Sequence, residues 1–334
     1  MMRGIAATLV VLHHAALVVE IRQPALLAGD GWSGFLLLRH VGASGVDIFF
    51  VLSGFFMYYS ISNKSCGYLA AWTFLKRRFF RVWPAYCLAT LLFLFVLVSL
   101  TSYELENKLF VLKSLLLLPV FDEVGKLRPL LGVGWTLVYE AYFYIIVAAV
   151  LVVPGKLYVW KLLVLLASLA TAGWMFSFKD LYLKFFTDPL LLEFLFGVFV
   201  AYMFINSRPI DRRLARVLAA LSVGLLMSSV ILYGDLERYR ILAWGLPAAG
   251  LVFSVVGCSA RSCVSPLVFL GEISYSLYLT HAILFFCCNS IWKRGFSGAD
   301  VDSNLMILVL FLLAIPAGYG FYRFVERPMI GRFC

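Results

Sequence analysis

Apolar residues run through this chain in blocks of helix length, with no sustained alternation of the kind a half-buried strand requires. Blocks near 4–20, 45–62, 83–102, 133–153, 157–176, 189–206, 214–232, 240–257, 267–290 and 304–324 are each of a length suited to a membrane-crossing helix. Proline, glycine and charged residues gather in the breaks between them. Residues 108–118 are apolar too, but the stretch is short and ends at Pro119, which fits an interfacial or re-entrant helix better than a span. No repeat, linker or low-complexity tract divides the chain, so residues 1–334 read as a single integral-membrane domain.

The pattern predicts an all-α, polytopic membrane protein of about ten transmembrane helices, and composition agrees. Of 334 residues, 63% are hydrophobic, 16% aromatic and only 14% charged, far from the balance of a soluble domain. Missing strand-like alternation argues against an outer-membrane barrel. The first block could be a signal peptide with Arg3 as its basic region and Ala25 to Ala28 as the cleavage site. Two histidines within the apolar core, His13 and His14, followed by Glu20 and Arg22, argue against that. The seven cysteines, at 66, 87, 258, 263, 287, 288 and 334, have no paired CxxC spacing, so neither a disulfide framework nor a zinc or other metal site is indicated.

Charge orients the bundle. The N-terminus, the loops after the second, fourth, sixth and eighth blocks, and the C-terminus hold 16 Lys and Arg residues against two acids, Asp211 and Glu326. The opposite loops hold 12 basic and 12 acidic residues. By the positive-inside rule both termini are expected in the cytoplasm. The net charge of +10 then reflects topology and anionic lipid, and calls for no nucleic acid.

The candidate chemistry lies where charge is expensive. Ten residues separate Arg3 from His14, which places them on one face of a helix and ~16 Å apart along its axis. Arg3 alone could be a snorkelling anchor. Asp47, Glu140, Glu193 and Glu272 also fall inside apolar blocks, as does His281, and such groups are functional by default. Helix direction puts His14, Asp47, Glu140, Glu193 and His281 toward the outer side, in what is expected to be one layer, with Glu272 nearer the cytoplasm. A carboxylate beside an imidazole would fix its tautomer and raise its basicity, as a general base requires. Structural roles compete: Asp47 could cap the second helix, Glu193 could sit on a helix dipole, and His281 could bond a neighbouring backbone. Glu140, five residues inside the helix that opens at Trp135, is too deep for a cap. His13 faces about 100° away from His14 and reads as structural.

A second group lies in KRRFFRVWP, where Lys76, Arg77, Arg78 and Arg81 interleave with Phe79, Phe80 and Trp83 before Pro84, expected to open the third span. Such a run commonly marks topology or lipid contact. Guanidinium groups next to aromatic rings also suit a polyphosphate that carries a heteroaromatic base, as coenzyme A does. No Walker or dinucleotide glycine pattern is present.

Taken together, RGIAATLVVLHH, GVDIFFVLSGFF at 45–56, RRFFRVWP at 77–84, GWTLVYEAYFY at 134–144 and GEISYSLYLTH at 271–281 resemble the acyltransferase-3 family of bacterial integral-membrane O-acyltransferases. The motifs occur in family order over most of the chain, and the compact form resembles small members that modify exopolysaccharide or O-antigen. The resemblance implies a multi-pass protein of the bacterial inner membrane that moves an acyl group, commonly acetyl, onto a cell-surface or exported glycan. It implies that His14 is the catalytic histidine and Arg3 its partner. Arg77, Arg78 and Arg81 would match the cytoplasmic motif linked to donor use. Asp47 and Ser53 fall in the second-helix motif, Trp135 and Glu140 in the tryptophan-to-glutamate motif, and Tyr275, Tyr278 and His281 in the ninth-helix motif.

The mechanism expected from residues and resemblance together has acyl-CoA as cosubstrate, with no permanently bound cofactor, and a glycan or lipid-linked glycan as acceptor. His14 acts as general base, Asp47 or Glu140 orients it, and Ser53, Tyr275 or an arginine steadies the oxyanion, with a covalent acyl-histidine or acyl-serine left open. Two alternatives stand beside it. A proton-coupled transporter or flippase would use the same groups as a relay but would carry inverted repeats, which are not visible. A membrane acyltransferase acting on lipid or protein would also use a buried histidine.

Overall fold

Apolar sequence in hydrocarbon can satisfy its backbone locally only by coiling into helices, and that is what the apolar blocks do. The computed structural model describes residues 1–22, 39–102, 107–155, 157–229, 239–257, 265–295 and 302–333. In chain order the helices are α1 Met2–Arg22, α2 Gly45–Ile61, α3 Tyr68–Leu100, α4 Lys108–Leu115, α5 Trp135–Val152, α6 Tyr158–Phe176 and α7 Leu181–Phe186. They continue with α8 Leu191–Asn206, α9 Arg212–Ser228, α10 Leu246–Val256, α11 Ser265–Glu272, α12 Ser274–Gly295, α13 Ser303–Phe321 and α14 Arg327–Phe333. Two π turns, Ile241–Gly245 and Tyr322–Glu326, precede α10 and α14. Among the described residues the β pairing amounts to one bridge, Phe121 with Leu127.

Seven helices among the described residues are long and apolar enough to cross a membrane, or eight if α11 and α12, bent by 76°, form one broken span. The other two expected spans fall on α9, 17 residues long, and on the shorter stretch Ile241–Val256. Seventeen residues reach only about 25 Å, less than the ~30 Å of a hydrocarbon core. The possible cleavage site at 25–28 lies outside the described residues.

Two local departures move functional residues. Pro84 does not open the third span; it sits inside α3, which runs unbroken for 33 residues, or about 50 Å. KRRFFRVWP is therefore helical, and Arg78 and Arg81 stand one turn apart on one face. Near Pro84, Trp83 Nε1 donates to the carbonyl of Leu115 at 2.9 Å and the Tyr86 hydroxyl donates to that of Ser114, also at 2.9 Å. They seat the C-terminal end of α4, too short to span, against α3. The second departure is the 76° elbow at Ile273 between α11 and α12, which leaves Glu272 and Ser274 at the bend.

Helix α2 is the hub, with 83% of its span buried against 22% for α6. Small residues let its neighbours approach closely. A methyl group on Gly54 would collide with the carbonyl of Phe194 in α8, and one on Gly197 would collide with the carbonyl of Val51 in α2. On its other side, Gly42 and Gly45 lie against the carbonyls of Leu9 and Ala6 in α1, where an added methyl would come within 2.7 and 2.5 Å. Replacing Gly54 or Gly197 with valine should force α2 and α8 apart and cost about 1–3 kcal/mol or more. Thermal unfolding of detergent-purified protein checks this, and unchanged melting of both variants would contradict the crossing.

Candidate active site

The end of the bundle that holds Arg3 is hollowed by a cavity of about 780 Å³, a volume able to enclose a whole ligand. Its charged wall comes from Arg3, Arg78, Arg81, Glu140, Glu272 and Glu326, and its apolar wall includes Phe49, Phe50, Leu52 and Val82. Arg3 reaches the cavity because Gly4 packs on α11, where any side chain would strike the carbonyl of Leu267. Its Nε donates to Ser274 Oγ at the elbow at 3.2 Å. Glu140 Oε1 accepts two hydroxyls, from Ser53 at 2.8 Å and from Tyr144 at 2.6 Å. Glu326, on the second π turn, accepts from Ser276 at 2.5 Å. Tyr275 donates to the carbonyl of Val82 at 2.7 Å.

Arg77 does not line this cavity. It projects about 100° away from Arg78, and both arginines are within electrostatic reach of Lys64, in the loop between α2 and α3. Partial burial, followed by the charges of Arg77 and Arg78, pushes the Lys64 ammonium below its ordinary lysine value.

The imidazoles sit beyond the far end of the cavity. His281 Nε2 and His14 Nδ1 are 3.3 Å apart. His14 Nδ1 also meets the carbonyl of Val10 at 2.9 Å, and His281 Nδ1 meets that of Leu277 at 3.0 Å. Between this pair and the cavity stands Tyr278. Its ring centroid is 5.8 Å from that of His281 and 5.9 Å from that of Phe49. Its hydroxyl donates to the carbonyl of Val133 at 2.7 Å and bonds Thr136 Oγ1 at 2.8 Å. His13 turns away and meets the carbonyl of Arg39 at 2.5 Å.

The single layer of ionisable groups expected from helix directions is thus divided. Glu140 lies one helical turn past Thr136 on the cavity side, about 6 Å along α5, while His281 lies about 4.5 Å past Tyr278 on the other side. Asp47 belongs to neither group. Its carboxylate is taken bidentately by Arg240, at 3.0 and 3.2 Å, so it does not orient His14. The Arg240 guanidinium lies 5.7 Å from the Trp135 ring and 5.3 Å from that of Trp244, which also takes Trp135 away from the cavity. Glu193 is buried close by, with neither carboxylate oxygen hydrogen-bonded among the described residues.

The acyltransferase domain family model matches residues 1–323. The chain belongs to this acyltransferase-3 family. Membership makes the protein a membrane acyltransferase, an enzyme that takes its acyl group from a donor cosubstrate. A relative in Rhizobium meliloti (strain 1021), described as exopolysaccharide production protein ExoZ, is 32% identical over 302 residues, covering 87% of this chain and 90% of the relative. No solved structure matches.

Sequence reasoning passed over Arg240, Glu326, Ser274 and Tyr144. By position Glu326 reads as one of the loop acids, and Arg240 stands at the start of an apolar run, as an interfacial anchor would. Their partners, Asp47 and Ser276, lie 193 and 50 residues away, beyond any periodic signal.

Replacing Arg240 with alanine should strand the Asp47 carboxylate and cost about 3–5 kcal/mol, whereas the Asp47→Asn/Arg240→Gln pair should recover part of that loss. A double-mutant cycle on unfolding measures the coupling, and additive effects would refute it.

Proposed function

We propose that the enzyme transfers an acyl group, acetyl in the first instance, from cytoplasmic acyl-CoA to a hydroxyl of a cell-surface or exported glycan or its lipid-linked precursor. The observation that carries this reading is the cavity at the Arg3 end, where Arg3, Arg78 and Arg81 share one wall-bounded space with Tyr275 and Phe49. Guanidinium groups can bind the donor's phosphates bidentately. The similarity to an exopolysaccharide production protein supports a glycan acceptor, and the basic excess of the Arg3-side loops supports their cytoplasmic placement in a bacterial inner membrane.

In this reading His14 is the general base, and its surroundings favour one tautomer. A proton on His281 Nδ1 satisfies the Leu277 carbonyl and leaves Nε2 as an acceptor. A proton on His14 Nδ1 then satisfies Val10 and faces that acceptor. The lone pair of His14 falls on Nε2, the nitrogen that would take the proton of the acceptor hydroxyl. The sugar oxygen attacks the thioester carbonyl carbon, the carbon–sulfur bond breaks, and the coenzyme A thiolate leaves and gains a proton. His281 supplies the orientation first expected of a carboxylate.

A second route is favoured by the Ser53–Glu140 hydrogen bond of 2.8 Å, which aligns a hydroxyl with a base inside the donor cavity. Ser53 would take the acyl group first and hand it on.

His14→Ala should lower the rate of glycan esterification by about 10²–10⁴, measured with labelled acetyl-CoA and purified enzyme. Undiminished transfer would overturn the assignment. Arg78→Gln and Arg81→Gln should each raise the donor KM by tenfold or more, the loss of a charge-assisted hydrogen bond, with Arg77→Gln raising it less. Equal KM values across all three would remove the cavity from donor binding.

A further inference from the structure

We infer that Phe49 and Tyr278 determine the length of acyl chain this enzyme transfers, and that they select a short one. This inference rests on the reading that the cavity holds an acyl thioester. Along α12 the positions are ordered: Ser274 bonds Arg3, Tyr278 follows about 6 Å further on, and His281 follows about 4.5 Å beyond that. Both Arg3 and Tyr278 line the cavity, whereas His281 and His14 do not. An acyl group on a donor anchored by the arginines must therefore meet the Tyr278–Phe49 pair before it meets the imidazoles.

The pair forms a wall with fixed positions. The Tyr278 hydroxyl is held by Val133 and Thr136 from the start of α5. Its ring meets both Phe49, edge-on at 5.9 Å between centroids, and His281, at 5.8 Å. Phe49 belongs to both surroundings at once: it lines the cavity, and it packs against the cluster of α1, α12 and α13 side chains that includes Val11, Leu277 and Leu310. Phe50, the next residue, is stacked on Phe194 at 4.6 Å, which is stacked in turn on Phe143 at 4.5 Å. A wall held in this way, Tyr278 by two hydrogen bonds and Phe49 by the side chains packed on it, does not yield to each extra methylene. In an apolar pocket, one methylene changes kcat/KM about 10–200-fold.

The test uses full-length enzyme in nanodiscs with acetyl-, butyryl- and hexanoyl-CoA as donors and glycan-bearing membranes as acceptor, and reads ester formed and thiol released. Wild-type enzyme should prefer acetyl to hexanoyl by at least about 100-fold. Phe49→Ala should shift that ratio at least about tenfold toward the longer chain. Tyr278→Phe, which keeps the ring but loses both hydroxyl bonds, should shift it less. A wild-type preference for hexanoyl, or an unchanged ratio in a folded Phe49→Ala enzyme, would overturn the inference. If Phe49→Ala fails to fold, Phe49→Leu carries the same expectation in the same direction. Competition by free coenzyme A separates the two levels of argument. If coenzyme A inhibits wild type and variants alike while the ratio stays fixed, the length filter alone fails. Absence of inhibition in the wild type would instead remove the donor cavity itself.

Discussion

Lipid offers an ionisable side chain neither water nor counter-charge, and this constraint sorts the polar residues of the bundle into three places. Arg3, Arg78, Arg81, Glu140 and Glu326 gather around a cavity, where both signs of charge share one space. His14 and His281, able to be neutral, use each other and two backbone carbonyls. Asp47, with no exposure at all, is neutralised by Arg240. Each solution fixes helices: the first ties α1 to the elbow through Arg3 and Ser274, α5 to α2 through Glu140 and Ser53, and the turn before α14 to α12 through Glu326 and Ser276, the second ties α1 to α12, and the third ties α2 to the turn before α10.

Those ties need close helix approach, and here the glycines provide it. Gly4 lets Arg3 settle beside Ser274, and Gly42 and Gly45 let the start of α2 lie against α1 between Ala6 and His13. Gly54 and Gly197 bring α8 onto α2 from the other side. The motif glycines near the candidate residues thus act by removing side chains that would keep the helices apart. Pro84 shows the same priority of packing over local propensity: it sits inside α3, which is held alongside α4 and the Tyr275 hydroxyl.

Span positions were legible because hydrocarbon imposes a period and a minimum length that sequence displays directly. The nearness of Ser53 to Glu140, or of His14 to His281, was open only to the coarser argument of depth. Glu140 departs from the depth expected of it, because α5 does not start at a membrane surface but at the level of Tyr86 and Tyr278: a methyl on Gly134 would touch the Tyr86 ring, and Thr136 bonds Tyr278. The segment between α4 and α5 folds inward, so counting residues from an assumed surface placed Glu140 too far out. The bend at Ile273 was also invisible, since no proline or charge run marks it.

In the proposed mechanism a histidine stands where a carboxylate was expected beside His14, and this has a chemical logic. A carboxylate next to His14 would hold the Nδ1 proton strongly, but in this layer it would also be a second buried charge in need of its own donors. A neutral imidazole whose own Nδ1 proton satisfies Leu277 offers an acceptor without that cost. In the proposed mechanism the pair would therefore stay uncharged while it waits and take on charge only as the acceptor proton moves, which would concentrate the electrostatic change in the reaction step. Glu140, which shares the cavity with Arg3, Arg78 and Arg81, would on the same proposal balance the positive charge that holds the donor.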